Sequence, residues 1–225
     1  MTTDPLTKIL SLARVVLFDF DGPICSVFDG YPAPQITREL LDLTRQLRGE
    51  LVPALAQATS PHELLLAAAG DPDLAQQLEV ALQKAELKAI ETARPTPGAA
   101  ESIAACVATG RLVAVVSNNY AEAVTEYLTK VGLTEEVSHV EGRNPSDPTL
   151  MKPDPHLIER ALGALHVAPS SCVFIGDQTT DIEAGRAAGV STIGYANKPG
   201  KVEAFQDAGC DAVLTTMHDL LTAIR

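Results

Sequence analysis

The chain contains no tryptophan, only 4% aromatic residues, and four cysteines (Cys25, Cys106, Cys172, Cys210) too widely spaced to form a CxxC pair. That spacing offers no paired-thiol site. Three of the four lie in apolar helix or strand contexts and read as small buried hydrophobes, and packing is also the expected role of Cys25. No apolar run approaches the roughly 20 residues that cross a bilayer. The stretch Met1–Ser11 carries Asp4 and Pro5 and lacks a signal-peptide hydrophobic core, so the expected location is cytoplasmic, with no membrane partner. Basic residues are also scarce: 17 Lys and Arg against 29 Asp and Glu leave a formal charge of −12. No run of Lys and Arg exists, which argues against nucleic acid as a partner. An acidic protein can still act on a phosphate ester if its pocket supplies a cation.

What the chain does have is aliphatic bulk in alternating patterns. Its 225 residues suffice for one large domain or a domain with a smaller insert. A short amphipathic helix is expected over 5–13 and a buried strand over 15–20. Pro23, Gly30, Pro32 and Pro34 then break the pattern. From Gln35 to about Arg94 there is only helical spacing, including a Ser60–Glu63 capping box with Pro61 at the first helical position. Beyond Arg94–Gly98 the chain alternates. Helices are expected over 98–108, 120–131, 154–165 and 180–188, and strands over 111–116, 137–141, 171–175 and 190–195. A helix over 200–208, a strand over 212–214 and a helix over 216–224 complete it. Alternation of this kind implies a doubly wound α/β fold with a parallel sheet. The expected organisation is a core of 1–27 plus 95–225, with an all-helical module over 28–94 inserted.

In such sheets the ligand crevice lies beyond the carboxyl ends of the strands. Four of those ends carry chemistry. The first strand runs into Asp19-Phe20-Asp21-Gly22, where alternation would put both carboxylates on one face; the competing reading is a solvated Asp-Gly turn. Strand 111–116 runs into Ser117-Asn118-Asn119, which could cradle an anion at the following helix N-terminus or merely cap that helix. Lys152 stands on a stiff, proline-flanked segment and could neutralise a phosphoryl group, although an exposed lysine is the commoner case. Strand 171–175 leads into Gly176-Asp177 and then Asp181. Asp181 also fits the first turn of a helix with a Thr180–Glu183 capping box, whereas Asp177 has no such structural explanation. Hard oxygen ligands at a sheet edge suit Mg²⁺.

Taken together, Asp19-Phe20-Asp21-Gly22, Ser117, Lys152-Pro153 and Gly176-Asp177 with Asp181 resemble the four motifs of the haloacid dehalogenase superfamily of hydrolases. The resemblance spans the core, and the helical module looks like that family's cap. It implies that Asp19 is the nucleophile, Asp21 the general acid and base, and Ser117, Asn118, Gly22 and Lys152 the phosphate-binding and charge-balancing groups. It implies Mg²⁺ held by the Asp19 carboxylate, the Asp21 backbone carbonyl and Asp177, with Asp181 as a further ligand or anchor. Pro23 departs from the family's commonest form, which has threonine there. An acid at Asp21 separates phosphoryl transfer from halide displacement. The implied activity is a phosphatase on a small phosphorylated metabolite, similar to the phosphoglycolate phosphatase group. A sugar phosphomutase and a non-catalytic binding protein are the alternatives. Arg38, Arg45, Arg48, Lys84, Lys88 and Arg94 are candidate contacts for a second anionic group, and Arg143 and Asn144 could reach the pocket. Phe28 and Tyr31 are expected near its entrance.

Overall fold

The computed structural model describes residues 4–224. Helix α1 (Pro5–Leu12) leads into β1 (Val15–Phe18), a turn and β2 (Cys25–Ser26). Four helices follow: α2 (Ala33–Arg48), α3 (Pro53–Ala56), α4 (Pro61–Ala67) and α5 (Pro72–Ile90). The chain returns through β3 (Arg94–Pro95), α6 (Ala99–Ala108), β4 (Leu112–Val116), α7 (Ala121–Lys130) and β5 (His139–Glu141). It then runs through α8 (His156–Leu165), β6 (Cys172–Gly176), α9 (Thr179–Ala187), β7 (Ser191–Tyr195), α10 (Lys201–Asp207), β8 (Ala212–Leu214) and α11 (Met217–Ala223).

The six-stranded sheet is parallel throughout, in the order β5-β4-β1-β6-β7-β8. It therefore has the doubly wound α/β architecture expected from the alternation. The direction of winding reverses at β1, which puts the topological switch point beside its carboxyl end. Alternation along β1 divides the core. Val16 and Phe18 join the layer that also contains Leu10, Ile103, Val124 and Leu220, while Val15 and Leu17 pack with Leu157, Ile158 and Ala184 on the other face. Both faces of β1 are thus covered, which is why its four residues are all apolar and fully buried.

The strand is shorter than the apolar run suggests. Asp19 still donates its amide to Ile175 O at 2.8 Å, but the carbonyl of Phe20 accepts from Ile24 and Cys25, closing a turn. Gly22 lies at φ +114°, and a Cβ there would come within 2.5 Å of Asp177 Cγ, so the turn needs glycine for both its conformation and its closeness to that carboxylate. Pro23 is buried in this turn, where the amides of Gly22, Ile24 and Cys25 make the bonds, so its missing N–H forfeits none of them.

The two connections to the helical segment pair with each other, Cys25 with Pro95 and Ser26 with Arg94, as a small antiparallel ribbon that the broken sequence pattern did not suggest. Helix α4 starts where expected: Ser60 Oγ accepts the Glu63 amide at 3.2 Å, though Glu63 returns its carboxylate to Thr59 rather than to Ser60. Helix α5 is capped by Asp71, whose Oδ1 accepts from Leu74 at 3.1 Å, with Pro72 next. Helices α2, α4 and α5 pack on one another, and α5 reaches the core through α7. Among the described residues no helix is long and apolar enough to cross a membrane. All four cysteines are free thiols, with Cys25, Cys106 and Cys172 buried and Cys210 half-buried.

Candidate active site

The carboxyl ends of β1, β4 and β6 open into a small pit of about 110 Å³ lined by Asp19, Asp21, Ser117, Asn118, Lys152, Asp177 and Asp181, among others. Each residue expected to act in catalysis, phosphate binding or metal binding except Gly22 lines it, and Gly22 packs against the Asp177 carboxylate. At its floor the Lys152 ammonium, buried rather than exposed, donates to Asp19 Oδ1 at 2.8 Å and lies 2.6 Å from Asp181 Oδ1. A third bond goes to the carbonyl of Val116 at 3.2 Å. Lys152 and Pro153 are joined by a cis peptide bond. The segment is held by Asn118, whose side-chain amide accepts from Lys152 N at 2.8 Å and donates to Lys152 O at 3.2 Å.

Asp19, Asp177 and Asp181 each offer a carboxylate oxygen, and these oxygens lie within 4.8 Å of one another. The Asp21 carboxylate stands apart from this group, its Oδ1 accepting from the amide of Val27 at 2.9 Å. Asp181 is the third residue of α9 and accepts from Gln178 N at 2.9 Å, so the N-cap is Gln178, two residues before the Thr180 of the expected Thr180–Glu183 box. A second correction concerns Ser117–Asn119. They do not cap α7, which begins at Ala121 after Tyr120. The Ser117 hydroxyl donates to Asn119 Oδ1 at 3.0 Å, and the Tyr120 amide goes to Glu86 Oε2 at 3.3 Å.

The charges in the pit perturb one another. Burial pushes the Asp19 carboxyl up to about 7, against the pull of Lys152 and with the added push of Asp181 and Asp177. Burial likewise raises Asp21 to about 6, opposed by the bond from Val27 and assisted by Asp177. For Lys152, burial alone would lower the value, but the Asp181 and Asp19 carboxylates more than reverse this and hold the ammonium charged. The arrangement pairs a carboxylate fixed by a cation with a second carboxyl able to hold a proton near neutrality. Such a pair suits nucleophilic attack followed by proton transfer.

The model of the family described as "Haloacid dehalogenase-like hydrolase" matches residues 16–195. The chain belongs to this family. Among curated relatives of this haloacid dehalogenase-like hydrolase, the phosphoglycolate phosphatase of Yersinia pestis is 30% identical over 128 residues, 57% of this chain and 54% of that protein. The chain thus spans about half the length of the first such relatives. The N-acetylmuramic acid 6-phosphate phosphatase of Pseudomonas aeruginosa is 27% identical over 187 residues, 80% of each chain. The crystal structure of a predicted phosphatase from Clostridium acetobutylicum superposes with a TM-score of 0.73 at 16% identity, covering 94% of this chain and 98% of that one, a likeness of fold.

Several residues of this haloacid dehalogenase-like hydrolase that meet the pit were not anticipated. Lys201, at the start of α10, approaches Asp177 Oδ2 at 2.6 Å and also its carbonyl, and Asn197 donates to the same carboxylate at 3.3 Å. Thr96 donates to Gly22 O at 2.6 Å and ties the second connection to the Asp-Gly turn. His62, in the first turn of α4, lines the pit from above. Lys201 could have been suspected from the loop Lys198-Pro199-Gly200-Lys201, which follows another strand end; His62 carries no signal beyond its helix position.

Above the pit a chamber of about 860 Å³ opens between α4 and the loop 148–155. Phe28 lines it, whereas Tyr31 turns its hydroxyl to Glu39. Arg38, Arg45, Arg48, Lys84, Lys88 and Arg94 do not line it. Arg45 pairs with Asp42 at 2.6 Å, Arg48 with Asp71 at 2.7 Å and Arg94 with Asp29 at 3.0 Å, while Lys88 sits 4.1 Å above the Tyr31 ring. Arg45, Arg48, Arg94 and Lys88 are thus matched locally, away from the chamber. Arg143 and Asn144 also miss the chamber: Asn144 caps its own loop by accepting from Ser146, and Arg143 is buried beneath the 117–119 loop against Glu79 and Glu86.

Proposed function

We propose that this protein is a Mg²⁺-dependent phosphatase that hydrolyses a small phosphorylated metabolite through an aspartyl phosphate on Asp19, with 28–94 acting as a cap over the core. The observation that carries the reading is the convergence of Asp19, Asp177, Asp181 and the Lys152 ammonium in one buried pit. The names of the relatives agree on phosphate release while differing in the alcohol released.

Three hard carboxylate donors within 4.8 Å of one another fit a small divalent cation. In this reading Asp19 and Asp177 hold Mg²⁺ with the backbone carbonyl of Asp21, and Asp181 supports both the metal site and Lys152. When bound, the metal neutralises charge on the phosphoryl oxygens. The chain's own residues do the rest. An Asp19 oxygen bonds to phosphorus as the bond from phosphorus to the ester oxygen breaks, and the departing oxygen takes the proton of Asp21. Water then attacks phosphorus and returns a proton to Asp21, the bond to Asp19 breaks, and inorganic phosphate leaves. Lys152 holds Asp19 in line and offsets charge, and Ser117 and Asn118 shape the wall that receives the phosphoryl group.

The test is phosphate release from p-nitrophenyl phosphate and a panel of small esters with MgCl₂ and with EDTA. Metal-dependent turnover is expected; none with any ester would overturn the reading. Lys201 provides a further expectation. Its ammonium competes with a divalent cation for Asp177, so Lys201→Met should tighten Mg²⁺ binding by about tenfold in a calorimetric titration of the metal-free protein. Unchanged or weaker binding would show that Lys201 does not oppose the metal.

A further inference from the structure

The chamber above the pit is where the leaving alcohol of a phosphate ester must sit, and its chemistry narrows what that alcohol can be. Among the described residues Lys152 is the one Lys or Arg lining it, and that ammonium is already engaged by Asp19, Asp181 and the Val116 carbonyl at the floor. Besides Asp21 at the floor, two further carboxylate residues line the space. Glu63 is held well below the ordinary carboxyl value by its bonds from the amide and hydroxyl of Thr59, so it is anionic at neutral pH. Asp154 lies on the opposite wall, its Oδ1 accepting from His156 N at 2.9 Å. Between them lie apolar surfaces: Phe28, Met151 and Leu66, the last 47% exposed.

An alcohol bearing a second anionic group would meet like charge from Glu63 and Asp154 with no further Lys or Arg to receive it, while His62, the one other basic residue lining the chamber, lies 3.4 Å from Glu86. A polyhydroxylated alcohol would find carboxylate acceptors for its O–H groups and apolar faces for its carbon skeleton. We propose, building on the phosphatase reading, that the site takes the monophosphate of an uncharged, hydroxyl-bearing alcohol such as a sugar or polyol, and that Glu63 and Asp154 select against alcohols carrying a carboxylate. The chamber's acidity thereby sets this chain apart in substrate from an enzyme specialised for phosphoglycolate.

The experiment compares kcat/KM for glycerol 3-phosphate and 3-phosphoglycerate, a pair differing in a hydroxymethyl against a carboxylate, together with a hexose 6-phosphate, phosphoglycolate and p-nitrophenyl phosphate. The uncharged member of the pair should be favoured by on the order of tenfold, mainly through KM, with the margin shrinking as salt rises. In the Glu63→Gln/Asp154→Asn double variant the ratio should approach one, a readout insensitive to any common loss of activity. Equal or better turnover of 3-phosphoglycerate and phosphoglycolate by the unaltered enzyme overturns the proposal while leaving the phosphatase reading intact. A ratio unmoved in the double variant overturns the assignment to these carboxylates. Failure to turn over any ester, p-nitrophenyl phosphate included, overturns both.

Discussion

Asp19→Asn is expected to lower phosphate release by at least about a thousandfold while leaving the protein folded. The amide is nearly the shape of the carboxylate but is a far weaker nucleophile, so no aspartyl phosphate can form. The variant's stability should be equal to or above that of the native chain, and the sign follows from the pit. Burial, Asp181 and Asp177 raise the Asp19 carboxyl to about 7 despite Lys152, well above the ordinary aspartate value of 3.8. A raised carboxyl means that keeping it ionised costs folding free energy at pH values above its unfolded value. The amide removes that charge from a cluster of like charges, and its oxygen can still accept from Lys152. Thermal melts and burst-phase phosphate measurements on the same preparation check both halves. Residual turnover within tenfold of the native rate would remove Asp19 as nucleophile, and a folded but inactive variant would separate chemistry from structure.

The pit was largely legible because its carboxylates stand where they are otherwise costly. Asp19 follows four fully buried apolar residues and Asp177 follows the fully buried β6, and a strand that ends in charge announces its sheet edge. Parallel order then brings distant ends together without any information from spacing. Lys152 was readable only as a candidate, since its burial depends on the loop that folds it under Asn118. What the sequence could not display is pairing across long separations. Arg143 lies in a loop and looks like a solvated base. Glu79 and Glu86 sit seven residues apart on one face of α5 and look like a solvated stripe, yet both are buried. The capping alternative for Ser117–Asn119 fails for the same reason. Good capping residue types were present, but α7 starts only after Tyr120, whose amide is held by Glu86 from another helix. Three of the six candidate cations failed for a local reason, since acids within reach satisfy Arg45, Arg48 and Arg94 before any ligand can.

That hidden network predicts the largest stability effect in the molecule. Arg143 forks between the two glutamates, its Nε and Nη2 meeting Glu79 at 2.7 and 3.0 Å and its Nη1 meeting Glu86 at 2.7 and 2.8 Å. The same Nη1 donates to Asn118 O at 3.1 Å, and Glu86 accepts from Asn119 Nδ2 at 2.8 Å, so α5 is bound to the 117–119 loop both through the guanidinium and directly. Arg143→Met should strand two buried carboxylates and cost about 3–5 kcal/mol, a fall of roughly 10 °C in Tm for a chain of this size. The Arg143→Met/Glu79→Gln/Glu86→Gln triple variant should recover most of that loss. The deficit should also depend on pH. Burial alone would raise Glu86, but Arg143 and His62 more than reverse this and hold it below its model value of 4.5. Its contribution in the native chain is therefore present above about pH 4.5 and lost as pH falls through the lower folded value. Without Arg143 the buried Glu86 rises and takes up a proton nearer neutrality, so the gap in Tm between native and variant should narrow from pH 7 to pH 5. A gap that stays constant over that range would mean that lost packing, and not stranded charge, sets the cost. In the surviving folded population kcat should fall as well, because Asn118 holds the Lys152 segment in place and Arg143 anchors Asn118.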